Sequence, residues 1–363
     1  MEIKHGNPNR REVMKKAIES ADGKFKYQVI LDFMQQMPEE YKYVPFCGNI
    51  AGGCCDAQGN IYCGLRGGSF MSPFPLSCYL VLDQDGKFVR AVGAGNIPGM
   101  HFGEITPDGK TLMLADVGGN RILALDLATG EAKTALAPVH ERPQNHMNKH
   151  ALVDFRMHKG IVATEPLHEE NCGGSFDWYL MHKDMTCGEP FHNPTDIDYD
   201  SQGNLYVSDG YGNCAVHKFD KDGNHLKTWG GSGYDHFFDN EDTPGKFLVP
   251  HSLCVDAKDH IWVCDREKDA VHVFDTEGNL LFYAKGDLGQ PSGIDADKEY
   301  IYVCGRAGYL TIFDTDFNIV AELGEFNGDL RAHSVACDGA GNIYLFPTHA
   351  NTEHQVIALK RIK

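Results

Sequence analysis

Residues 201–224 read SQGNLYVSDGYGNCAVHKFDKDGN, two apolar stretches set between polar turns. The turns are rich in Asp, Gly and Asn, and the apolar stretches are enriched in aromatic and β-branched residues. This composition predicts two short antiparallel strands joined by a polar connection. The same cadence recurs in five further stretches, which are AQGNIYCGLRGG (57–68), PDGKTLMLADVGGNRILALD (107–126), AKDHIWVCDREKDAVHVFDTEGN (257–279), DKEYIYVCGRAGYLTIFDTDFN (297–318) and GAGNIYLFPTHANTEHQVIALK (339–360).

Six repeats of this kind predict an all-β protein, a six-bladed β-propeller with four short strands in each blade. We expect the propeller to span residues 45–363, with the C-terminal strand VIALKRIK pairing in the last or the first blade. Residues 127–190 do not follow the repeat pattern of turns and strands. We interpret them as an insertion, with a degenerate seventh blade as the alternative. Residues 1–44 are expected to form a helical N-terminal extension, because apolar residues at Val13, Met14 and Ile18 have helical spacing.

The bulk composition excludes several classes of function. A net charge of −18 argues against a nucleic-acid or anionic-membrane surface, which would need clustered Lys and Arg. No apolar run is long enough to cross a membrane, and the start of the chain has no apolar signal core, so we expect a cytoplasmic protein. The 12 cysteines stand mostly in apolar strands, which predicts reduced, buried thiols. The sequence leaves the oligomeric state open.

Three histidines stand at one offset in alternate repeats. His101, His251 and His333 each precede the turn after their strand by eight residues, and they fall in the second, fourth and sixth units. Alternate blades of a six-bladed ring are a third of a turn apart, so the three imidazoles are expected to meet on the axis. Three imidazoles with an open fourth position suit Zn²⁺, while Fe, Mn and Co also accept such a site. A structural hydrogen-bonding role for each histidine is the alternative.

Polar connections after the second strands are expected to face the same mouth of the ring as the histidines. They contain Arg66, Asp116, Tyr211, Arg266, Arg306 and His349. Arginines there would bind a carboxylate through their planar fork, and a tyrosine beside a cation is a candidate general base. The alternatives are blade-to-blade salt bridges for the arginines and a packed ring for Tyr211. Asp116, His192 and His349 are interpreted mainly as structural.

The motifs PTDIDYDSQGNLYVSDGYGN, VPHSL and CDRE follow one another within residues 191–275. In that order they resemble the NHL-repeat propeller of the peptidyl-α-hydroxyglycine α-amidating lyases. The resemblance implies a six-bladed propeller with a zinc ion on three histidines, a tyrosine base and arginines that bind the substrate carboxylate. It also implies the cleavage of an α-hydroxyglycine amide to an amide and glyoxylate.

Carried over residue by residue, the resemblance assigns His101, His251 and His333 to the metal and Tyr211 to the base. The arginines of CGLRGG and CDRE, Arg66 and Arg266, then bind the substrate. Two positions beside the third histidine depart from the family. The acidic residue after that histidine is Ser334 here, and the methionine two residues before it is Arg331.

These observations support three hypotheses. The first is a zinc-dependent lyase acting on a small carboxylate substrate, with catalytic Tyr211, Arg66 and Arg266. The second is a metal-assisted hydrolase of lactonase or esterase type, for which carboxylates around calcium would be typical. The third is an NHL-repeat binding scaffold without activity. A structural Ca²⁺ is a further cofactor that we consider.

Overall fold

The computed structural model describes residues 17–47, 49–67, 76–97, 99–139, 188–233, 242–347 and 354–362. These residues form a six-bladed β-propeller, as the repeats predict, and the seven-bladed alternative is wrong. Each blade is an antiparallel sheet whose first strand lies at the axis. The strands of blades one to three are β3 (Ile50–Cys55), β4 (Ile61–Leu65), β5 (Cys78–Leu82), β6 (Phe88–Val92), β7 (Met100–Ile105), β8 (Thr111–Asp116), β9 (Arg121–Asp126), β10 (Ala132–Leu136), β11 (Asp196–Tyr199), β12 (Leu205–Asp209), β13 (Ala215–Phe219) and β14 (His225–Gly230).

Blades four and five repeat this arrangement, and blade six takes strands from both ends of the chain. Their strands are β15 (Pro250–Val255), β16 (Ile261–Asp265), β17 (Ala270–Phe274), β18 (Leu280–Lys285), β19 (Pro291–Ala296), β20 (Tyr300–Gly305), β21 (Tyr309–Asp314), β22 (Ile319–Gly324), β23 (Ser334–Cys337), β24 (Ile343–Phe346) and β25 (Ile357–Arg361), joined by β2 (Lys26–Ile30) and β1 (Ala17–Glu19). Short helical turns lie at Glu39–Tyr41, Val44–Cys47 and Arg266–Lys268.

Several turns between strands are each held by one aspartate. In blade three, Asp200 accepts hydrogen bonds from the backbone N–H groups of Gln202 and Asn204, both at 2.9 Å. Its second oxygen accepts the Asn204 side-chain amide at 2.7 Å. Gly203 has φ of +81°, which a residue with a side chain rarely adopts. The same arrangement around Asp220, Asp275, Asp314 and Asp338 explains why Asp and Asn mark the repeat in the sequence.

The core lies between the blades, where apolar side chains from the faces of neighbouring sheets meet. Trp262 of blade four is fully buried and packs against Phe313 of blade five, with ring centroids 5.4 Å apart. The nine described cysteines are free, and seven of them are buried in such layers. Burial raises the pKa of the Cys78 thiol to about 11 and that of Cys304 to about 12. They therefore remain neutral thiols and pack as small apolar groups.

The prediction of a helical N-terminal extension is wrong for the residues of that segment that the structure describes. Residues 26–30 form β2, which pairs with β25 and closes the ring as the outer part of blade six. Tyr27 and Val29 are buried while Gln28 between them is exposed, a two-residue period that fits a strand and not a helix. The C-terminal strand pairs in the last blade, as one of the two predicted options had it. Residues 1–16, with Val13 and Met14, lie outside the described residues.

Part of the segment 127–190, which the sequence analysis interprets as an insertion, belongs to blade two. Residues 132–136 form β10, the fourth strand of blade two, so the turn and strand after residue 127 belong to the repeat. Their alternation is weak because β10 is an outer strand with mostly exposed side chains, Leu136 being buried. Residues 140–187 lie outside the described part of the chain. Within the described residues, no helix is long and apolar enough to span a bilayer.

Candidate metal centre

Three imidazoles meet on the axis at one end of the inner strands. His101 lies on β7, His251 on β15 and His333 directly before β23. Their ring centroids are 4.9, 5.2 and 4.9 Å apart in the three pairs. One nitrogen of each ring lies within 4.8 Å of the others, and all three residues are buried. The structure thus brings together the three side chains that the repeat offset singles out.

Each imidazole is oriented by the backbone of the next blade. Nδ1 lies 2.7 Å from the Thr195 carbonyl oxygen in His101, 2.6 Å from that of Ser292 in His251, and 2.7 Å from that of Ala51 in His333. A carbonyl can only accept, so Nδ1 carries the proton and donates it in all three rings. The Nε2 lone pairs are then left for a ligand. Such orienting bonds are usual for metal-binding histidines.

Two of the three Nε2 atoms share a single hydrogen-bond donor. Tyr211 Oη lies 3.1 Å from Nε2 of His101 and 2.7 Å from Nε2 of His251. A phenol has one proton and can donate to only one of these two acceptors. Burial lowers the pKa of His101, His251 and His333 well below the usual value, so protonation of the rings does not supply a further donor. Three buried neutral imidazoles with converging lone pairs therefore fit a metal cation.

The arginines occupy equivalent positions in their blades. Arg66, Arg266 and Arg306 each follow the second strand directly. Their backbone N–H groups donate to the residue before the first strand, namely Asn49 at 2.8 Å, Val249 at 3.1 Å and Gln290 at 3.1 Å. The positive charges of all three contribute to lowering the pKa of His333, after the effect of burial. The three arginines therefore leave their blades at the same mouth of the ring.

Arg266 and Tyr211 contact each other directly. Arg266 Nη1 donates to Tyr211 Oη at 3.3 Å, and the guanidinium carbon lies 5.5 Å from the centre of the phenol ring. Arg266 is also paired through Nε with Glu267 at 2.8 Å. These contacts place a fixed positive charge beside the Tyr211 oxygen. Arg66 donates through Nε to the Met100 carbonyl at 3.1 Å, beside His101.

The other polar residues that the sequence analysis singled out have structural contacts where the structure describes them. Asp116 is buried, accepts the Gly119 N–H at 3.0 Å and pairs with Arg121 at 2.7 Å. His192 donates its backbone N–H to Asp209, and its ring packs on Gly212. Arg331 donates through Nε to the Gly328 carbonyl at 3.2 Å. His349 lies outside the described residues.

Phe102 forms a floor beneath the three imidazoles, a role for which the sequence pattern has no signal. Its ring centroid lies 4.0 Å from that of His101, 5.4 Å from that of His251 and 5.0 Å from that of His333. A Cβ on Gly52 would lie 2.6 Å from Phe102 Cδ1, so the ring needs a glycine on the facing strand. The sequence analysis also missed the backbone carbonyls of Thr195 and Ser292 as hydrogen-bond acceptors, because every residue has a carbonyl whatever its type.

Beyond Phe102 the axis continues as a cavity lined by carboxylates. Glu104, Asp198 and Asp295 stand at one level of the inner strands of blades two, three and five. Burial raises the pKa of Asp198 to about 7 and that of Asp295 to about 6. Burial and then the charges of Asp198 and Asp295 raise the pKa of Glu104 well above its usual range. Within the described residues the only metal-type cluster is the three histidines, so a structural Ca²⁺ stays a prediction.

The comparisons with known proteins agree with the fold and the resemblance. The family model of the NHL repeat matches residues 191–219 and 247–274. The chain carries NHL repeats. It is 32% identical over 105 residues to the probable peptidyl-alpha-hydroxyglycine alpha-amidating lyase pgal-1 of Caenorhabditis elegans, covering 29% of this chain and 27% of that protein. It is 27% identical over 177 residues to the peptidyl-glycine alpha-amidating monooxygenase A of Xenopus laevis, covering 44% of this chain and 18% of that protein. The chain thus spans less than a third of either relative.

A further relative and two solved structures share the repeat or the fold. The NHL repeat-containing protein 3 of Mus musculus is 34% identical over 89 residues, covering 24% of this chain and 23% of that protein. A gluconolactonase from Xanthomonas campestris superposes with a TM-score of 0.59 at 12% identity, covering 96% of this chain and 95% of its own. A streptogramin B lyase superposes with a TM-score of 0.51 at 10% identity, covering 93% and 98%. At such identity these likenesses show the fold alone.

Proposed function

We propose that the protein is a metal-dependent lyase that cleaves the C–N bond of a small α-hydroxy carboxylate with a hemiaminal carbon. The observation that carries the proposal is Tyr211 Oη, which lies within 3.1 Å of two converging Nε2 atoms and accepts from Arg266. A phenol oxygen in that position can exchange a proton with a ligand held at the three histidines. The distant relatives named as amidating lyases support the same reaction class.

The three Nε2 atoms of His101, His251 and His333 would hold one divalent ion, and zinc is the ion that their chemistry fits best. Such an ion supplies Lewis acidity, which makes a nearby hydroxyl easier to deprotonate. The Nδ1 bonds to carbonyls keep the three rings fixed in the tautomer that binds it.

Side chains of the protein would carry out the remaining steps. Tyr211, acting in its deprotonated form with Arg266 beside it, would take the proton of the substrate hydroxyl at Oη. The C=O bond then forms as the C–N bond breaks, and the proton passes from Oη to the departing nitrogen. The products of an N-acyl-α-hydroxyglycine are an amide and glyoxylate. Arg66 would hold the substrate carboxylate by charge-assisted hydrogen bonds, and Phe102 keeps water from reaching the site along the axis.

The test is glyoxylate release from N-benzoyl-α-hydroxyglycine by the zinc-loaded protein. We expect release by the wild type and a loss of roughly 100-fold or more in kcat for Tyr211→Phe, the size typical of a general base. The matched control is Tyr309→Phe, on the third strand of blade five, which should keep wild-type kcat. An absence of glyoxylate with this and smaller N-acyl-α-hydroxyglycines would contradict the proposal, as would equal kcat in wild type and Tyr211→Phe.

A further inference from the structure

Blades one, three and five contribute no histidine to the metal centre. At the equivalent position they carry Ala51, Thr195 and Ser292, each as many residues before the first turn of its blade as the histidines are. The backbone carbonyls of these three residues accept the Nδ1 protons of the histidines. Thr195 and Ser292 also carry hydroxyls, and both residues are fully buried. The proposed reaction gives these two hydroxyls no role.

Ser292 of blade five contacts the histidine strands on both sides of it. Its carbonyl oxygen lies 2.6 Å from Nδ1 of His251 in blade four. Its hydroxyl donates to the backbone carbonyl of His333 in blade six, at 2.9 Å. The backbone N–H of His333 donates to the carbonyl of Phe346 at 3.0 Å, so the backbone of this histidine is held on two sides. The ring of His251 and the backbone of His333 are therefore both fixed by one serine.

Thr195 makes the same pair of contacts from blade three. Its carbonyl oxygen lies 2.7 Å from Nδ1 of His101, and its Oγ1 lies 2.8 Å from the carbonyl oxygen of Pro250, the residue before His251. The hydroxyl has one proton. The other carbonyl within its reach, that of Ser208 at 3.1 Å, already accepts the backbone N–H of Thr195 at 2.8 Å. We therefore assign the proton to the Pro250 carbonyl, where it fixes the start of the His251 strand.

Blade one completes the pattern with a different side chain. Ala51 accepts from Nδ1 of His333, but an alanine has no side-chain donor. Arg66 of the same blade donates through Nε to the carbonyl oxygen of Met100, the residue before His101, at 3.1 Å. Each blade without a ligand thus accepts from one histidine ring and donates to the backbone at the next histidine. Three ring bonds and three backbone bonds form a closed belt around the axis.

We propose that Thr195 and Ser292 are positioning residues of the metal centre, whose hydroxyls hold the strands of His251 and His333 where the Nε2 atoms converge. This inference rests on the proposed function, because it concerns the same metal ion. Both hydroxyls act through the backbone of a neighbouring blade and bind no ion themselves. Their loss therefore changes the affinity for the metal and the geometry of its ligands, as the loss of contacts that orient metal ligands generally does.

The experiment measures the zinc affinity of Thr195→Val by competition with a chromophoric chelator, together with the visible spectrum of the cobalt-loaded protein. Valine keeps the size and the backbone carbonyl of threonine and lacks only the hydroxyl. We expect zinc to bind roughly 10- to 100-fold more weakly, the usual effect of losing a contact that orients a metal ligand. The cobalt bands should shift, because they report the geometry of the ligands. Thr195→Ser retains the hydroxyl and should restore wild-type values in both measurements.

Ser252→Ala is the matched control. Ser252 is also buried on an inner strand, and its hydroxyl also crosses between blades, but it donates to Asp196 at 2.6 Å. Asp196 lines the cavity on the far side of Phe102 from the imidazoles. The control variant should therefore lose stability toward urea while it keeps the wild-type zinc affinity and cobalt spectrum.

Ser292→Ala is a second variant, for the case that the Thr195→Val protein folds poorly, and it should weaken zinc binding in the same way. Wild-type zinc affinity and cobalt bands in both variants, or changes of equal size in Ser252→Ala, overturn this inference and leave the proposed function standing. If the wild type binds neither zinc nor cobalt, the metal centre of the proposed function fails, and this inference fails with it.

Discussion

The identity of single residues decides whether the three imidazoles can share one ligand. Each histidine needs the carbonyl of the next blade, and the set needs the Phe102 ring beneath it. The histidines could be predicted because a metal ligand is a residue type that recurs at one offset. The carbonyls of Ala51, Thr195 and Ser292 could not, because every residue carries a carbonyl and only the fold shows which one faces the ring.

Gly52 offers a test of the floor at this scale. In Gly52→Ala the new methyl group would meet Phe102 Cδ1 and Ser334 Oγ, at 2.6 and 2.8 Å, and push the ring toward the imidazoles. We expect a loss of about 1–3 kcal/mol in unfolding free energy, the range for overpacking, together with weaker zinc binding. Urea unfolding and a zinc competition titration measure the two effects.

Gly339→Ala is the matched control, since a Cβ there meets no atom within 4 Å. It should differ little from the wild type in both measurements. A Gly52→Ala protein that behaves as Gly339→Ala does would show that Phe102 is not held against the imidazoles.

The inner strands carry two layers of titratable side chains, the histidines at one end and the carboxylates beyond Phe102. The repeat predicted these strands because their apolar residues and turns are regular. It did not predict the carboxylate layer, since Glu104, Asp198 and Asp295 look like ordinary polar positions of alternating strands. Residues 17–30 were expected to continue a helix. That prediction failed because a short apolar pattern such as that around Ile18 fits a helix or a strand equally well. The pairing of β2 with β1 and β25 shows that the segment forms strands.

The carboxylate layer makes stability depend on pH. The pKa of Asp198 is raised from 3.8 to about 7 by burial, and that of Glu104 is raised well above its usual range by burial and by its acidic neighbours. The folded state thus binds these protons more tightly than the unfolded state. Their contribution to stability is present below about pH 4 and is lost as the pH rises through the folded pKa values.

Glu104→Gln removes one of these charges while keeping the size of the side chain. We expect its melting temperature to match the wild type near pH 5 and to exceed it increasingly toward pH 8, measured by scanning calorimetry on metal-free protein. Glu322→Gln changes an exposed carboxylate of β22 and should show no such trend. A Glu104→Gln difference that is constant over this range, or largest at low pH, would contradict the account.

The whole molecule is a ring closed by strands from its two ends. β2 from the N-terminal part adds to β25 from the C-terminal part, so closure depends on a contact between residues far apart in sequence. The number of blades could be predicted from the repeats, whereas the closing strand could not, because its residues lie outside any repeat unit.

Tyr27 tests this closure. Its ring is fully buried, and its hydroxyl accepts a hydrogen bond from Arg361 Nη1 at 2.7 Å. Tyr27→Ala should lower the free energy of unfolding by about 3 kcal/mol or more, as expected for removing a buried aromatic side chain. Gln28→Ala, exposed on the same strand, should cost little. Equal unfolding midpoints for the two variants would show that β2 does not close the ring.

The central claim is that the three axial histidines hold one metal ion. It is tested most directly by elemental analysis of protein purified without a histidine tag, beside the His251→Ala variant. The account predicts close to one first-row metal ion per wild-type chain, with zinc as the expected ion, and a strong loss of that metal in the variant. Wild-type protein that holds calcium but no first-row metal, or a variant that keeps the wild-type metal content, would contradict it.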